Sequence, residues 1–339
     1  MKVAITGAAG GIGSVLSDLL RLNGISLVLI DDLSSGSLGN FNSKENSESL
    51  IQFDLKNQEE TLRLIEDCTH IIHLAATSSL AECQLNPKTA IENNVGVTSS
   101  IIKCASISGA KVIFASTSAV YEKNNVFPFK ETDPITPLLV YPQSKFFSEQ
   151  MLSSARKTNS IEYVSFRFFN VFGPRQNFHR TNPPLINYLV REIVLNRKPK
   201  IYAPLNQLRD YVYVGDIAKL ILQLLQSDCS LPNEAINVCS GVGTSISEII
   251  SSLELAFDTK IDFHKGDPED LWEKNTDLFS GKHPFQKSEV KNETLKTSIG
   301  DPAYCASIFG WEAQTNVLRQ ICLDMPEMIE TVLNLYAKK

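Results

Sequence analysis

The sequence predicts an α/β fold, a doubly wound parallel sheet with a smaller, discontinuous α+β lobe. Three observations carry that expectation. Short β-rich runs alternate with helix-like stretches through the first half, the first run turns straight into a glycine-rich segment, and a late apolar run brings the chain back after a long excursion. The runs fall at residues 2–6, 26–30, 50–53, 70–74, 111–115 and 163–167. Parallel neighbours need crossovers, and strands buried on both faces read as continuous apolar runs, so this alternation predicts helices on both sides of one sheet. Residues 34–49, rich in Ser, Asn and Gly and without apolar periodicity, predict a surface loop after the second strand. The excursion covers residues from about 173 to 210, after which 235–239 predicts a strand that rejoins the first sheet. A second polar stretch, 265–297, predicts a mostly solvated surface.

Composition limits the possible functions. With 339 residues, 43% of them hydrophobic, the chain can bury a substantial core. A formal net charge of -6 offers no broad attraction for nucleic acid or an anionic membrane, so any anionic ligand must be met by local cations. There is no apolar run of membrane-spanning length, and Lys2-Val3-Ala4-Ile5 already reads as a core strand, so the expectation is a cytoplasmic protein with neither membrane span nor signal peptide. The seven cysteines, at 68, 83, 104, 229, 239, 305 and 322, form no Cys-x-x-Cys pair. They are expected to be reduced, mostly buried thiols, and no metal site is expected.

Thr6-Gly7-Ala8-Ala9-Gly10-Gly11-Ile12-Gly13 places glycines three residues apart where a strand should become a helix, whose first N–H groups can face a pyrophosphate. Gly7 suits a tight turn, Gly10 lets the backbone approach phosphate, and Gly13 permits close helix packing. The spacing is G-x-x-G-x-x-G, and the downstream carboxylate adds to its meaning. Residues 27–30 end in Asp31, where a carboxylate can accept both adenosine ribose hydroxyls and would repel a 2′-phosphate. No Lys or Arg lies between Asp31 and Asn42, so NAD is expected over NADP. Asp31 and Asp32 also suit a turn or cap. Gly11, Ile12, Asp54, Leu55, Leu74, Ala75 and Ala76 complete the expected cofactor contacts, and the small residues after His73 let a cofactor lie close to the backbone. His73 itself is expected to be packed or hydrogen-bonded.

Tyr141-Pro142-Gln143-Ser144-Lys145 sets a phenol and an ammonium one helical turn apart. Upstream, Ser116-Thr117-Ser118-Ala119-Val120-Tyr121 follows a predicted strand. With Asn93-Asn94-Val95, the segment from Arg167 to Gln176 and that from Arg209 to Asp216, these motifs resemble an extended short-chain dehydrogenase/reductase of the nucleotide-sugar epimerase and dehydratase group. The resemblance spans most of the chain.

It implies that Tyr141 is the acid/base, Lys145 its electrostatic partner and a cofactor ligand, and Thr117 the hydroxyl that bonds the reacting sugar oxygen, with Ser118 beside it. Free tyrosine, with a pKa near 10, would be protonated at neutral pH. The Lys145 ammonium and the oxidised nicotinamide are therefore expected to draw Tyr141 toward phenolate. The resemblance further assigns Asn94 to support of the cofactor site, and Asn170 and Arg209 to the substrate diphosphate, which guanidinium grips with paired donors. His264, with Lys265 beside it, stands where many relatives have a phosphate-binding arginine and is implied to contact the substrate, and Glu122 stands where they usually have glycine, which leaves that local turn undefined. The implied division is 1–172 and about 209–240 for an NAD-binding domain of Rossmann type, and about 173–208 and 241–339 for a nucleotide-sugar lobe. The implied partners are a nucleotide sugar and, through helices near 87–108 and 142–157, a second copy of the chain. Ser118-Ala119 replaces the acidic pair of resembling dehydratases, which favours a 4-epimerase over a 4,6-dehydratase; a net 4-reductase or a decarboxylating relative, which share the redox step at C4, stay open. A sensor without turnover would not need Tyr141, Lys145 and Thr117 together.

Overall fold

The computed structural model describes residues 1–227 and 230–336. Cys229 lies outside the described residues. Its strands are β1 (Lys2–Thr6), β2 (Ser26–Asp31), β3 (Leu50–Gln52), β4 (His70–His73), β5 (Lys111–Thr117), β6 (Tyr163–Phe168), β7 (Asn170–Phe172), β8 (Lys200–Ile201), β9 (Leu208–Tyr213), β10 (Ala235–Val238), β11 (Gly243–Ser245) and β12 (His264–Lys265). Its helices are α1 (Gly11–Leu22), α2 (Lys44–Ser49), α3 (Gln58–Ile65), α4 (Leu80–Leu85), α5 (Pro87–Ile91), α6 (Val97–Ser108), α7 (Val140–Asn159), α8 (Leu185–Val194), α9 (Val214–Gln226), α10 (Ile246–Phe257), α11 (Lys287–Leu295), α12 (Ala303–Phe309) and α13 (Val317–Tyr336).

Seven strands form one sheet in the order β10-β6-β5-β4-β1-β2-β3, and every neighbouring pair is parallel. The doubly wound sheet is therefore as expected, and β10 is the strand by which the chain rejoins it. One face packs Leu16 and Leu20 of α1 with Ile217 and Ile221 of α9, together with Cys305 of α12 and Trp311. The other packs Ile65 of α3, Ile101 and Cys104 of α6, and Leu152 of α7. The apolar runs of β1 and β5 serve both faces at once, which explains their lack of alternation.

The smaller lobe contains the mixed sheet β11-β9-β7 and the pair β12-β8. Its core joins α8, α10 and α13 through Leu189, Ile249, Leu253, Ile321 and Met328. Arg175 links the lobes, its guanidinium donating to Asp18 of α1 at 2.7 Å and to Glu327 of α13 at 3.1 Å.

Two stretches contain more order than expected. Within 34–49, Ser43 caps α2 by accepting from the Asn46 N–H, and Asn46 is buried between the Asp18 carboxylate and the Arg21 guanidinium. A polar network replaces the apolar stripe that marks a helix in sequence. Within 265–297, Trp272, Leu278 and Val290 pack with Ala81 and Leu139 into a separate small core.

Candidate active site

A cleft opens at the C-terminal ends of β1, β4, β5 and β6, beside the point where strand order reverses between β1 and β4. Open α/β sheets bind ligands at such a switch point. Gly7, Gly10, Gly11, Ile12 and Gly13 form its floor. Gly7 has φ +70°, and a Cβ there would lie 2.7 Å from the Ala75 amide nitrogen. A Cβ on Gly13 would meet the Gly7 carbonyl at 2.2 Å, so the turn and helix touch as closely as backbone allows. Gly10 caps α1 without a side-chain bond, leaving first-turn N–H groups for an anion.

Asp31 ends β2 and is buried. Its carboxylate accepts from the Ala9 N–H at 3.0 Å and the Leu33 N–H at 2.8 Å. Burial raises its pKa above the ordinary carboxylate value, against the opposing pull of those two amides. Asp31 thus fixes the turn, as the turn reading expected, while lining the cleft. Asp32, which accepts from the Ser34 N–H and hydroxyl, lines the same end with Asp54, Leu55, Leu74, Ala75 and Ala76. His73 is buried behind them between the Thr6 and Thr98 hydroxyls, and burial first, then Lys145, lowers its pKa to about 3.

The end of the cleft that holds the expected acid/base group is built by β5 and α7. Thr117, the last residue of β5, accepts from the Ala119 N–H at 3.2 Å, and its side chain hydrogen-bonds Tyr141. The bond to Tyr141 favours phenolate, the sense in which the Thr117 proton points to the phenol oxygen. Glu122 accepts from the Leu138 and Leu139 N–H groups immediately before α7. Its backbone is in the ordinary helical region, φ -48° and ψ -40°, so this turn does not need the family's glycine. Tyr141 occupies the first turn of α7. Lys145, one turn on, is buried with its ammonium 2.7 Å from the Ala115 carbonyl and 4.7 Å from the Phe114 ring centroid.

One electrostatic expectation is corrected here. Within the protein alone, burial pushes Tyr141 up to about 12 despite the Thr117 bond, and burial pushes Lys145 down to about 7. A dry pocket destabilises both ions, so Lys145 does not by itself draw Tyr141 toward phenolate.

Asn94 does not line the cleft. It sits on a π-helical turn, Glu92–Gly96, from which its side chain accepts from the Thr77 N–H at 2.8 Å and donates to the Thr77 carbonyl at 3.0 Å and to the Ser144 hydroxyl at 2.9 Å. It therefore ties the β4 loop to α7 from behind, while Asn93 faces the cleft. Across the opening lie Ser118, Asn170 and Arg209. Asn170 donates to the Asp210 carbonyl at 2.8 Å. Arg209 donates to the Glu293 carbonyl at 2.6 Å and lies 3.8 Å from its carboxylate. Asp210 instead accepts from Ser240, Gly241 and Gly300. His264 is exposed on β12, beside Lys200 of β8, and is absent from the cleft lining. Arg180 and Lys296 line the cleft without having been singled out in the sequence. Both come from polar stretches that carry no periodic signal.

This sheet and cleft define a Rossmann-type protein of the extended short-chain dehydrogenase/reductase class. The model of the NAD dependent epimerase/dehydratase family matches residues 3–239, and the chain belongs to that family. It is 30% identical over 258 residues to UDP-glucose 4-epimerase of Mycolicibacterium smegmatis, covering 75% of this chain and 82% of that protein. It is 29% identical over 239 residues to UDP-glucuronic acid decarboxylase 1 of Xenopus tropicalis, covering 68% of this chain and 55% of the longer relative. The crystal structure of UDP-glucose 4-epimerase from Thermotoga maritima with UDP-glucose superposes with a TM-score of 0.83 at 25% identity, covering 98% of this chain and 100% of that one.

Proposed function

We propose that this protein is an NAD-dependent nucleotide-sugar 4-epimerase, acting through a transient 4-keto sugar on a UDP-hexose or a related nucleotide sugar. The observation that carries this reading is the convergence of Thr117, Tyr141 and Lys145 in the same cleft as the glycine turn, with Asn170 and Arg209 across the opening. The turn fits NAD because α1 starts at the cleft floor with Gly10 as an uncapped N-terminus, its first N–H groups open to a pyrophosphate. Gly10 to Gly13 would hold its pyrophosphate and Asp31 its adenosine ribose. NAD, when bound, supplies the hydride acceptor and a positive ring that favours phenolate.

The protein's own groups move the proton and hold the substrate. Tyr141 takes the C4 hydroxyl proton, Thr117 lies between the two with its one proton on the phenolate oxygen and a lone pair open to the sugar hydroxyl as a relay, and Lys145 carries the compensating charge. Arg209 and Asn170 grip the diphosphate. Anchoring the nucleotide while leaving the sugar loosely held lets the keto ring turn over before hydride returns to the opposite face. Among the described residues, the carboxylates lining the cleft are Asp31, Asp32, Asp54 and Glu293, and the Thr117 segment continues as Ser118-Ala119. That arrangement favours epimerisation over elimination, which needs a further acid/base pair at C5 and C6. Incubation with NAD and UDP-glucose is expected to invert C4. A keto-deoxy product would establish a dehydratase, and binding without conversion a sensor. The protein is further read as a homodimer through α5, α6 and α7, whose outer surfaces expose Ile91, Ile107 and Phe147.

A further inference from the structure

Three arginines line the cleft, and two have carboxylates: Arg175 pairs with Asp18 and Glu327, and Arg209 lies against Glu293. Arg180 has no carboxylate within ion-pair distance among the described residues. One of its terminal nitrogens donates to the Ser78 hydroxyl at 2.6 Å, while its Nε is buried without a partner. The Asn182 side-chain nitrogen, lining the same cleft, is also buried without a partner. Arg180 as a whole is half-buried, but a buried donor nitrogen left unused is costly unless a ligand completes it.

The loop bearing this pair is held in place. Buried Arg191 of α8 donates to the Phe178 carbonyl at 3.0 Å and to the Arg180 carbonyl at 3.1 Å, while pairing with Glu192. The Arg180 charge also reaches the reacting end, where it lowers the pKa values of Tyr141 and Cys83 against the larger effect of burial. In the proposed function, Gly10 to Gly13 serve the cofactor pyrophosphate, and Asn170 and Arg209 serve the substrate diphosphate. The anion left for a cation beside Tyr141 belongs to the sugar.

We propose that Arg180 and Asn182 form an oxyanion subsite for a carboxylate on the sugar ring, so that the preferred substrate is a nucleotide-linked hexuronic acid. This rests on the reading of the cleft as a nucleotide-sugar site. Arg180 would meet the carboxylate with charge-assisted donors, and Asn182 would add a neutral one.

The test is calorimetric binding of UDP-glucuronic acid and UDP-glucose to the NAD-loaded protein, with NAD affinity measured separately by fluorescence. Wild type is expected to prefer the acid. Arg180→Gln should cost the acid roughly ten- to a hundredfold more affinity than it costs the neutral sugar. Arg180→Lys should restore part of that preference, and Asn182→Ala should reduce it severalfold. Equal loss for both sugars, a comparable loss of NAD affinity, or a wild type without preference for the acid would overturn the subsite. Turnover separates the two readings. Binding of both sugars with conversion of neither removes the epimerase reading but leaves the carboxylate subsite standing, whereas C4 inversion by a protein indifferent to Arg180→Gln does the reverse.

Discussion

At the scale of single residues, the proposed chemistry rests on Thr117, Tyr141 and Lys145, and burial works against the charged forms of the last two. Tyr141 is raised to about 12 and Lys145 lowered to about 7, so the phenolate needed by a general base requires the Thr117 hydrogen bond and the positive charge that oxidised NAD adds when bound. Tyr141→Phe should therefore retain NAD binding while turnover falls about a hundredfold to ten-thousandfold, and Thr117→Ala should cost less. Near-normal turnover of Tyr141→Phe would remove the phenol from the reaction. Lys145 also makes a stability prediction whose sign follows from linkage. Its folded pKa is depressed, so between about pH 7 and its unfolded value of 10.5 the unfolded chain binds the extra proton and stability rises with pH. Urea titrations at pH 7 and pH 9 should show Lys145→Met losing that rise, on the order of a few kcal/mol across the full window. Equal pH dependence in the two proteins would place the Lys145 pKa near its ordinary value.

At the scale of elements, the positions of the reacting groups depend on how α7 begins. The N–H groups of Leu138 and Leu139 precede the helix, and the half-buried Glu122 carboxylate accepts both. Glu122→Ala leaves these donors without their partner and frees the turn that carries Tyr141. Thermal unfolding should report a loss of about 1–3 kcal/mol, with a fall in kcat larger than the rise in KM. Unchanged melting and turnover would show that α7 needs no such tether. The same elements show what the sequence discloses. The strand starting at Lys2 and the Tyr141–Lys145 pair were legible, because continuous apolar runs and fixed spacing are local patterns. Glu122 was not, since its effect depends on a contact sixteen residues away. Nor was α2, where Asn46 buries itself through Asp18 and Arg21 rather than through an apolar stripe. Arg180 escaped because its meaning lies in the carboxylate it lacks, and His264 was misleading because a register with a family motif does not fix where a two-residue strand will lie.

At the scale of the whole molecule, the sheet is covered on both faces, yet the helices on the α6 and α7 face remain apolar at points on their outer sides. Phe147 on α7 is 56% exposed and Ile107 on α6 is 55% exposed, while Phe146 beside the first packs partly buried against the small core that contains Val120 and Phe129. Fully burying a side chain of this size is worth about 1.5–3 kcal/mol, so a symmetric contact that covers both residues in each of two copies gains enough to offset much of the cost of association. Such a contact would be isologous, with α7 near the two-fold axis and each Tyr141 facing its own cleft. Light scattering on the purified protein should then give the mass of two chains, and Phe147→Glu, which sets a like charge against itself across the axis, should halve it. NAD binding should survive in that variant, because Phe147 is absent from the cleft lining. A wild type that runs as a single chain at micromolar concentration would show that this face is simply solvated, and the active site would then have to be complete within one copy.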